Sequence, residues 1–558
     1  MRMIRGEIEL AIERALEELG AGGVSFTVER PRAMEHGDYA TNAALSAAKI
    51  LKKNPNEVAE VLRNMLRNML RSDEIEKIEV AGAGFINFSL SREAILHEVE
   101  KAAKEKEWGR SSIYGTKTIL VEYTSPNLFK PLHIGNLVGN ILGESLARLF
   151  EFSGARVKRI NYPSDIGLTV AKGVWGLWKN TLNPNDIEQL GKAYVAGNAA
   201  YEDGSAKEEI DKINKVLYED SHPQWSKLRK QGVETSRKYL DELCERLGTK
   251  FDKEFFESEA GPLGRELVQE NIGRVFEESE GAVIYRGAHT RVFINSAGLP
   301  TYEAKEVGLF KLKSEAFPNF DASYTVTGSE QKDFFAVVFD AIRKVFPTET
   351  NGKTIEHIAN GFLRLTTGKM SSRLGNVITG ESLIADLTKA ARGREDVAVG
   401  AVKYAVLKQG SNKDIVFEPE KSLSLEGDSG PYLQYAHTRA LSLLRKAEGG
   451  GAELSGDPAS GQQRNASAPE SSAPSARSIL ERTLIHFPDV VERAAKELEP
   501  HHVTTYLTEL AGAFNSWYAH ERVIGGKNPE YGLLLTQAVE QTLAKGLHVL
   551  GIPAPEEM

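Results

Sequence analysis

Apolar residues recur at two different spacings along the chain, and the changes between them mark its parts. Residues 1–20 place Ile4, Ile8, Ile12, Leu16 and Leu19 near helical spacing, which predicts an amphipathic helix. Further helices are predicted at 40–53 and 56–71, followed by the strand-like run IEKIEVAGAGFINFSL at 75–90. These elements make a small α+β module that closes near the charged stretch KAAKEKEWGR. From Lys117 the pattern becomes β-α-β. TILVEY (118–123) is a buried-strand run, NLVGNILGESLARLFEFSG (136–154) a helix closed by Gly154, and RVKRINY (156–162) a second strand. Strands alternating with helices predict a parallel sheet with right-handed crossovers. Residues 172–290 read as a long, charged, largely helical insertion between two halves of that sheet. The alternation returns with SYTVTG (323–328), a helix over 330–346 and IEHIANGFLRL (355–365). Beyond about residue 380 everything reads as helix, except the Gly/Ser/Ala/Pro stretch 451–478, whose composition is that of a flexible linker.

Composition narrows the class. Hydrophobic residues at 41% and charged residues at 26% are globular proportions. The net charge, 69 − 78 = −9, argues against a uniformly basic nucleic-acid binder and leaves room only for local basic stripes. One such stripe is LRNMLRNMLR, where Arg63, Arg67 and Arg71 stand four apart along one helical face. It is either a solvated face or a set of phosphate contacts, and its composition leaves both open. A single cysteine, Cys244, excludes an intramolecular disulfide framework and any cysteine-based zinc cluster, and fits a reducing compartment. The acidic, interrupted N-terminus is not a leader peptide, and no stretch of 18 uncharged apolar residues exists. A cytoplasmic protein is expected.

Candidate chemistry sits at two places. Neither a GxGxxG nor a P-loop fingerprint opens the helix after the first strand. That strand instead ends in SPNLFKPLHIGN (125–136), which gathers Lys130, His133 and Asn136 at a helix N-terminus, where unpaired N–H groups favour an anion. Gly135 would let a flat group approach the backbone. Taken alone, His133 reads equally as a helix cap. The second place is TTGKMSSRLGN (366–376), where Lys369, Ser371, Ser372 and Arg373 stand between Gly368 and Gly375. By itself that segment is either a polyphosphate cradle or a basic surface turn. Both follow predicted strands, and the C-terminal edge of an open α/β sheet is where ligands bind.

HIGN (133–136) resembles the HIGH signature, and KMSSR (369–373) the KMSKS signature, of class I aminoacyl-tRNA synthetases. The surrounding text, VEYTSPNLFKPLHIGN, RINYPSDIG, GLPTYEAKEVG, GPYLQYAHTR, AFNSWY and LGIPAPEEM, resembles the arginyl-tRNA synthetase family over essentially the whole chain. The resemblance implies three domains. They are an N-terminal α+β domain at 1–112 that touches the tRNA elbow, a Rossmann-like catalytic domain at 113–390 with its insertion at about 172–290, and an all-α anticodon-binding bundle at 391–558. It implies that Lys130, His133, Gly135, Asn136, Lys369, Ser371 and Ser372 serve catalysis, with His133, Gly135, Asn136, Lys369 and Met370 on ATP. Arginine would be held by Glu122, Ser125, Asn127, Tyr302, Glu306 and Gln331, since a guanidinium asks for planar bidentate acceptors. Asp165, past the end of a strand, has no assigned role. Glu306 alone would read as a surface ion pair with Lys305 or Lys311. Arg63, Arg67, Arg71, Tyr432, Tyr435, Arg439, Trp517 and Tyr518 would meet tRNA, with His437 and Arg522 in the same mixture of aromatic and basic residues. For the tyrosines, helix packing is as good a reading as base stacking. ATP would carry its own Mg²⁺ on the phosphates, with no protein metal cage. A monomer is expected. Three positions depart from the family pattern: Asn136 stands for the second histidine of HIGH, Ser372 for the second lysine of KMSKS, and Glu306 for an aspartate. The resemblance implies that Lys130 takes the part of the lost lysine.

Overall fold

The computed structural model describes residues 4–31, 33–366, 379–448 and 475–558. The apolar run after Lys117 forms the strand Thr118–Glu122, the centre of a five-stranded, all-parallel sheet. Across that sheet the order is Thr354–Asn360, Ala322–Gly328, Thr118–Glu122, Arg156–Asn161 and Lys253–Glu254. The chain runs outward from the central strand to one edge, then returns to the other side. Strand order therefore reverses between Thr118–Glu122 and Ala322–Gly328, which creates a crevice at their C-terminal ends. The helix Ile134–Phe152 packs across this sheet and is buried over nearly its whole length. A glycine makes that approach possible: a Cβ on Gly143 would lie 2.3 Å from Cγ of Tyr123.

The insertion is helical where expected, through Leu168–Asn180, Ile187–Glu202, Lys207–Glu219 and Pro223–Arg246, around its own core of Phe129, Val170, Val174, Leu190 and Ile210. Past that point the helix Glu257–Glu270 continues the pattern, but strands interrupt it. Lys253–Glu254 rejoins the main sheet, and Glu277–Ser279, Ala282–Arg286 and Thr290–Ile294 form a separate antiparallel sheet. Its first hairpin turns on Glu280 (φ 50°) and Gly281 (φ 78°), two positive-φ residues that match strand twist.

The run 355–365 divides at Gly361 into Thr354–Asn360 and Leu363–Leu365. A Cβ on Gly361 would lie 2.0 Å from the Lys413 carbonyl, and the second piece pairs with Ile415–Phe417, a strand inside the segment expected to be wholly helical. The N-terminal module sets helices Ile4–Glu18, Ala43–Leu51 and Pro55–Met69 on a four-stranded antiparallel sheet, in which the strand-like run 75–90 folds as a hairpin. Its far side meets the C-terminal bundle, formed by Glu395–Leu407, Gly430–Glu448, Ala476–Leu484, Phe487–Glu497, His501–His520 and Pro529–Val549. Arg5 pairs with Glu492 and Arg482 with Asp38, Arg92 Nη2 donates to Glu481 Oε1 at 2.9 Å, and Trp108 Nε1 donates to Thr542 Oγ1 at 3.1 Å. Of the expected linker, 451–474 lie outside the described residues, and Ala476 already begins a helix.

Candidate active site

The loop that leaves the central strand shapes the crevice. Glu122 ends that strand, and Thr124 then takes φ 74°, with the Ser125 N–H donating back to the Tyr123 carbonyl at 3.0 Å. This is a γ-turn at a β-branched residue, a costly conformation that only the surroundings can hold. Ser125 (φ 35°) and Phe129 (φ 69°) continue the irregular loop. The Phe129 ring is locked between Gly173 and Gly232, where a Cβ would lie 2.6 and 2.5 Å away respectively. Asn127 bridges to Ser164 beyond the neighbouring strand.

Two carboxylates with a third nearby form the floor. Glu122 is buried and pairs with the buried ammonium of Lys313. Glu306 finds neither of the partners suggested by its neighbours: Lys305 pairs with Glu257, and Lys311 lies 3.4 Å from Glu315. Enclosure, then repulsion from Glu122, pushes the Glu306 carboxyl well above the ordinary range, against the opposing pull of Lys313. Burial also raises Glu257, which accepts from Ser164 Oγ at 2.9 Å. With Glu306 ionised, three carboxylates and two ammoniums leave one net negative charge, so a cationic side chain seated there would be matched by release of the Glu306 proton. Ser125 Oγ and Tyr162 Oη are buried without a hydrogen bond, and buried polar atoms ordinarily have one. Glu257, Tyr162 and Lys313 were not singled out in the sequence. Only folding brings them to Glu306, and the two charged residues of the strand before Glu257 leave no apolar pattern to mark it. Tyr302 is 58% exposed at the mouth, beside Lys305, whose Nζ lies 5.0 Å from the ring centre. Gln331 ends the short turn Ser329–Gln331 after the strand Ala322–Gly328, on the same sheet edge.

His133 caps the helix Ile134–Phe152 by accepting from the Gly135 N–H at 3.0 Å. A Cβ on Gly135 would lie 2.8 Å from that ring. Partial enclosure, then the Lys130 ammonium, lowers the His133 pKa, against the opposing pull of Glu330. Lys130 is itself lowered by burial and lies 5.3 Å above the Tyr194 ring of the insertion. Asn136 directs its amide at the Thr124 carbonyl, 3.4 Å away, rather than outward. Asp165 is saturated by Arg229 at 2.6 Å, the Ser258 N–H at 2.9 Å and Ser258 Oγ at 2.7 Å, so it ties the insertion to the sheet. Lys369, Met370, Ser371, Ser372 and Arg373, with Gly368 and Gly375, lie outside the described residues.

Comparison with known proteins gives this edge its family. The family described as "tRNA synthetases class I (R), catalytic domain" matches residues 98–418, more than half of the chain. "Arginyl tRNA synthetase N terminal domain" matches 6–90, and "DALR anticodon binding domain" matches 433–558. The chain belongs to the arginyl-tRNA synthetase family. It is 31% identical to the arginine–tRNA ligase of Clostridioides difficile over 100% of both chains, and 29% identical to that of Treponema denticola over 96% of this chain and 95% of the relative. The arginyl-tRNA synthetase structure of Thermus thermophilus matches all of both chains with a TM-score of 0.80 at 25% identity.

In this synthetase the residues expected to meet RNA divide by burial. Arg439 lies 4.3 Å from the Tyr518 ring centre and 6.0 Å from that of Tyr435, and Asn515 bonds both Arg439 (3.3 Å) and Tyr432 Oη (3.2 Å). These side chains form one partly exposed cluster on two adjacent helices. Trp517 corrects the expectation. It is 1% exposed and packed beside Phe514, so neither ring face is open to a base. His437 is likewise buried, between Glu540 and the Pro555 carbonyl, while Arg522 is exposed. The arginine stripe is also less uniform than its spacing suggests. Arg71 falls beyond the helix Pro55–Met69 and pairs with Asp73 and Glu74, and Arg63 pairs with Glu60 at 2.7 Å.

Proposed function

We propose that the chain activates L-arginine with ATP to arginyl-adenylate and transfers the arginyl group to the 3′ end of its cognate tRNA, releasing pyrophosphate and AMP. The observation carrying this reading is the gathering of the Glu122, Glu306 and Glu257 carboxyls at the sheet's switch point, beside the N-terminus of the His133-capped helix. The guanidinium is met by Glu122 and Glu306, with Tyr302 at the mouth, and a planar fork suits such acceptors better than an ammonium does. Ser125, Asn127 and Gln331 meet the amino-acid end. The arginine carboxylate attacks the α-phosphorus of ATP and pyrophosphate leaves; a terminal ribose hydroxyl then attacks the adenylate carbonyl and AMP leaves. His133, Asn136, the Gly135 backbone, Lys130 and Lys369 stabilise developing phosphate charge, and Met370, Ser371 and Ser372 complete the ATP contact. Magnesium enters on the ATP phosphates. Among the described residues no group of three or more His, Cys, Asp or Glu gathers to hold an ion.

The cluster of Tyr432, Tyr435, Arg439 and Tyr518 stacks anticodon bases, and the Arg67 region of the N-terminal module meets the tRNA backbone. Among the described residues no helix is long and apolar enough to cross a membrane, and we place the enzyme in the cytoplasm as a monomer. Arginine-dependent pyrophosphate exchange, measured with and without tRNA, is the test. Exchange with lysine but not arginine refutes the substrate. Tight tRNA binding without exchange points to a non-catalytic relative.

A further inference from the structure

Within the buried helix Ile134–Phe152, Asn136, Asn140, Glu144 and Arg148 recur at four-residue intervals. Such residues share one face, and this stripe spans about 18 Å at 1.5 Å per residue. Every member is bonded. Asn136 donates to the Thr124 carbonyl, and Asn140 Nδ2 donates to Thr124 Oγ1 at 3.0 Å. Glu144 accepts from Tyr123 Oη at 2.6 Å. Arg148 donates from Nε to Glu144 at 2.7 Å, from Nη1 to the His548 carbonyl at 3.2 Å and from Nη2 to the Gly248 carbonyl at 2.9 Å. Ser145 Oγ adds a bond to the Val549 carbonyl at 3.2 Å. His548 and Val549 end the last helix of the C-terminal bundle. A second branch leaves Gly248 through Thr249, whose hydroxyl donates to Asn140 Oδ1 at 3.0 Å. Both branches converge on Tyr123 and Thr124, between Glu122 and Ser125. The strained turn is thus tied, bond by bond, to the end of the bundle.

We infer that Arg148 and Glu144 are positioning residues that hold the Tyr123–Thr124 turn, and with it Glu122, against the end of the final bundle helix. The inference rests on the reaction proposed above. It makes adenylate formation sensitive to how the bundle is seated, through a continuous set of hydrogen bonds. Arg159 also bonds Glu144, at 2.9 Å, which keeps the carboxylate charged and available to both Tyr123 and Arg148.

The test uses the full-length protein with two mild substitutions and their combination. Tyr123→Phe removes one hydroxyl. Arg148→Lys keeps the charge but loses the fork that reaches three acceptors. Each single variant should lower kcat of pyrophosphate exchange, measured with tRNA present, about tenfold, within the usual range for coupled sites, with KM for ATP unchanged. The double variant should be no slower than the slower single, because both cut one chain. Single-variant losses that multiply in the double, or a kcat within twofold of wild type, overturn the inference. Hydrogen exchange over residues 122–129 gives a readout independent of catalysis. Arg148→Lys should speed exchange there about tenfold, and an unchanged rate overturns the inference whatever the activity. Wild-type protein lacking arginine-dependent exchange refutes the proposed reaction, while hydrogen exchange still decides the positioning role.

Discussion

Two glycines one turn apart on the helix Ile134–Phe152 should respond to the same substitution with opposite signs. An alanine Cβ at Gly143 would lie 2.3 Å from Tyr123 Cγ and 2.4 Å from its Cβ. Those atoms are close to the backbone, and the ring is pinned by its bond to Glu144, so they cannot swing away. Carbon atoms sit about 3.5–4.0 Å apart at best, so relief requires helix and strand to separate by roughly 1 Å. Overpacking of this kind costs about 1–3 kcal/mol, and the upper end applies here because the obstacle is rigid. Alanine recovers about 1 kcal/mol of helix propensity, which leaves a net loss of about 2 kcal/mol. At Gly139 the nearest atoms are Asn360 Oδ1 at 3.6 Å and the Val326 carbonyl at 3.9 Å, both ordinary contacts. Only the propensity gain remains there, about 0.4–1 kcal/mol. For a unit of about 150–250 residues, each kcal/mol moves the midpoint by about 2–4 °C. In a thermal melt followed by circular dichroism, Gly143→Ala should therefore lower the catalytic domain's transition by about 4–8 °C, and Gly139→Ala should raise it by about 1–4 °C. Shifts of the same sign in both variants would refute the packing argument.

Other consequences concern charge and burial. Because enclosure and Glu122 raise the Glu306 carboxyl, its proton is retained in the folded enzyme above the pH at which the unfolded chain releases it. Its contribution to stability is present below the unfolded pKa and is lost as pH climbs from about 4.3 through the raised value. Arginine binds the charged form, so KM for arginine should fall across that climb, and Glu306→Gln should flatten the profile; a KM independent of pH in wild type contradicts this. Lys130→Ala should lower exchange turnover by about 10²–10³, the usual cost of losing a preorganised charge-stabilising donor, and a loss under threefold defeats its assigned part. Trp517→Ala should cost about 3–5 kcal/mol of stability with little change in tRNA affinity, whereas Tyr518→Ala should weaken tRNA binding by about 1–3 kcal/mol and leave the melt nearly unchanged. Filter binding and melting of both variants separate the two roles.

The elements legible in the sequence were those with long, undiluted signals. The apolar run 118–123 and the capped, glycine-closed helix behind it fell within a residue or two of where they fold. The hairpin sheet at 277–294 escaped because its strands have three to five residues, too few for a period to register among charged neighbours. Lys253–Glu254 is two charged residues long and is a strand only because Ile160 and Asn161 lie beside it. At the site, Glu122 and Glu306 were reached through resemblance, and their chemical setting required the fold. Lys305 had an obvious neighbour in Glu306, yet its partner is Glu257, 48 positions away. The polar stripe from Asn136 to Arg148 was hidden for the opposite reason. Its members interrupt an apolar helix at regular spacing, which in isolation looks like a solvated face.

The seam between the first module and the final bundle also sets a timetable for synthesis. Arg5 and Glu492, which pair there, are 487 positions apart. At about 5–20 residues per second, the amino-terminal module emerges roughly 25–100 s before its counterpart exists. For that interval Arg5, Asp38 and Arg92 face solvent, or a chaperone, without their native partners. The waiting module, residues 1–112, carries 17 Lys and Arg against 19 Asp and Glu, a net charge of −2 against −9 for the whole chain, so charge repulsion protects that half-built surface less than it protects the finished enzyme.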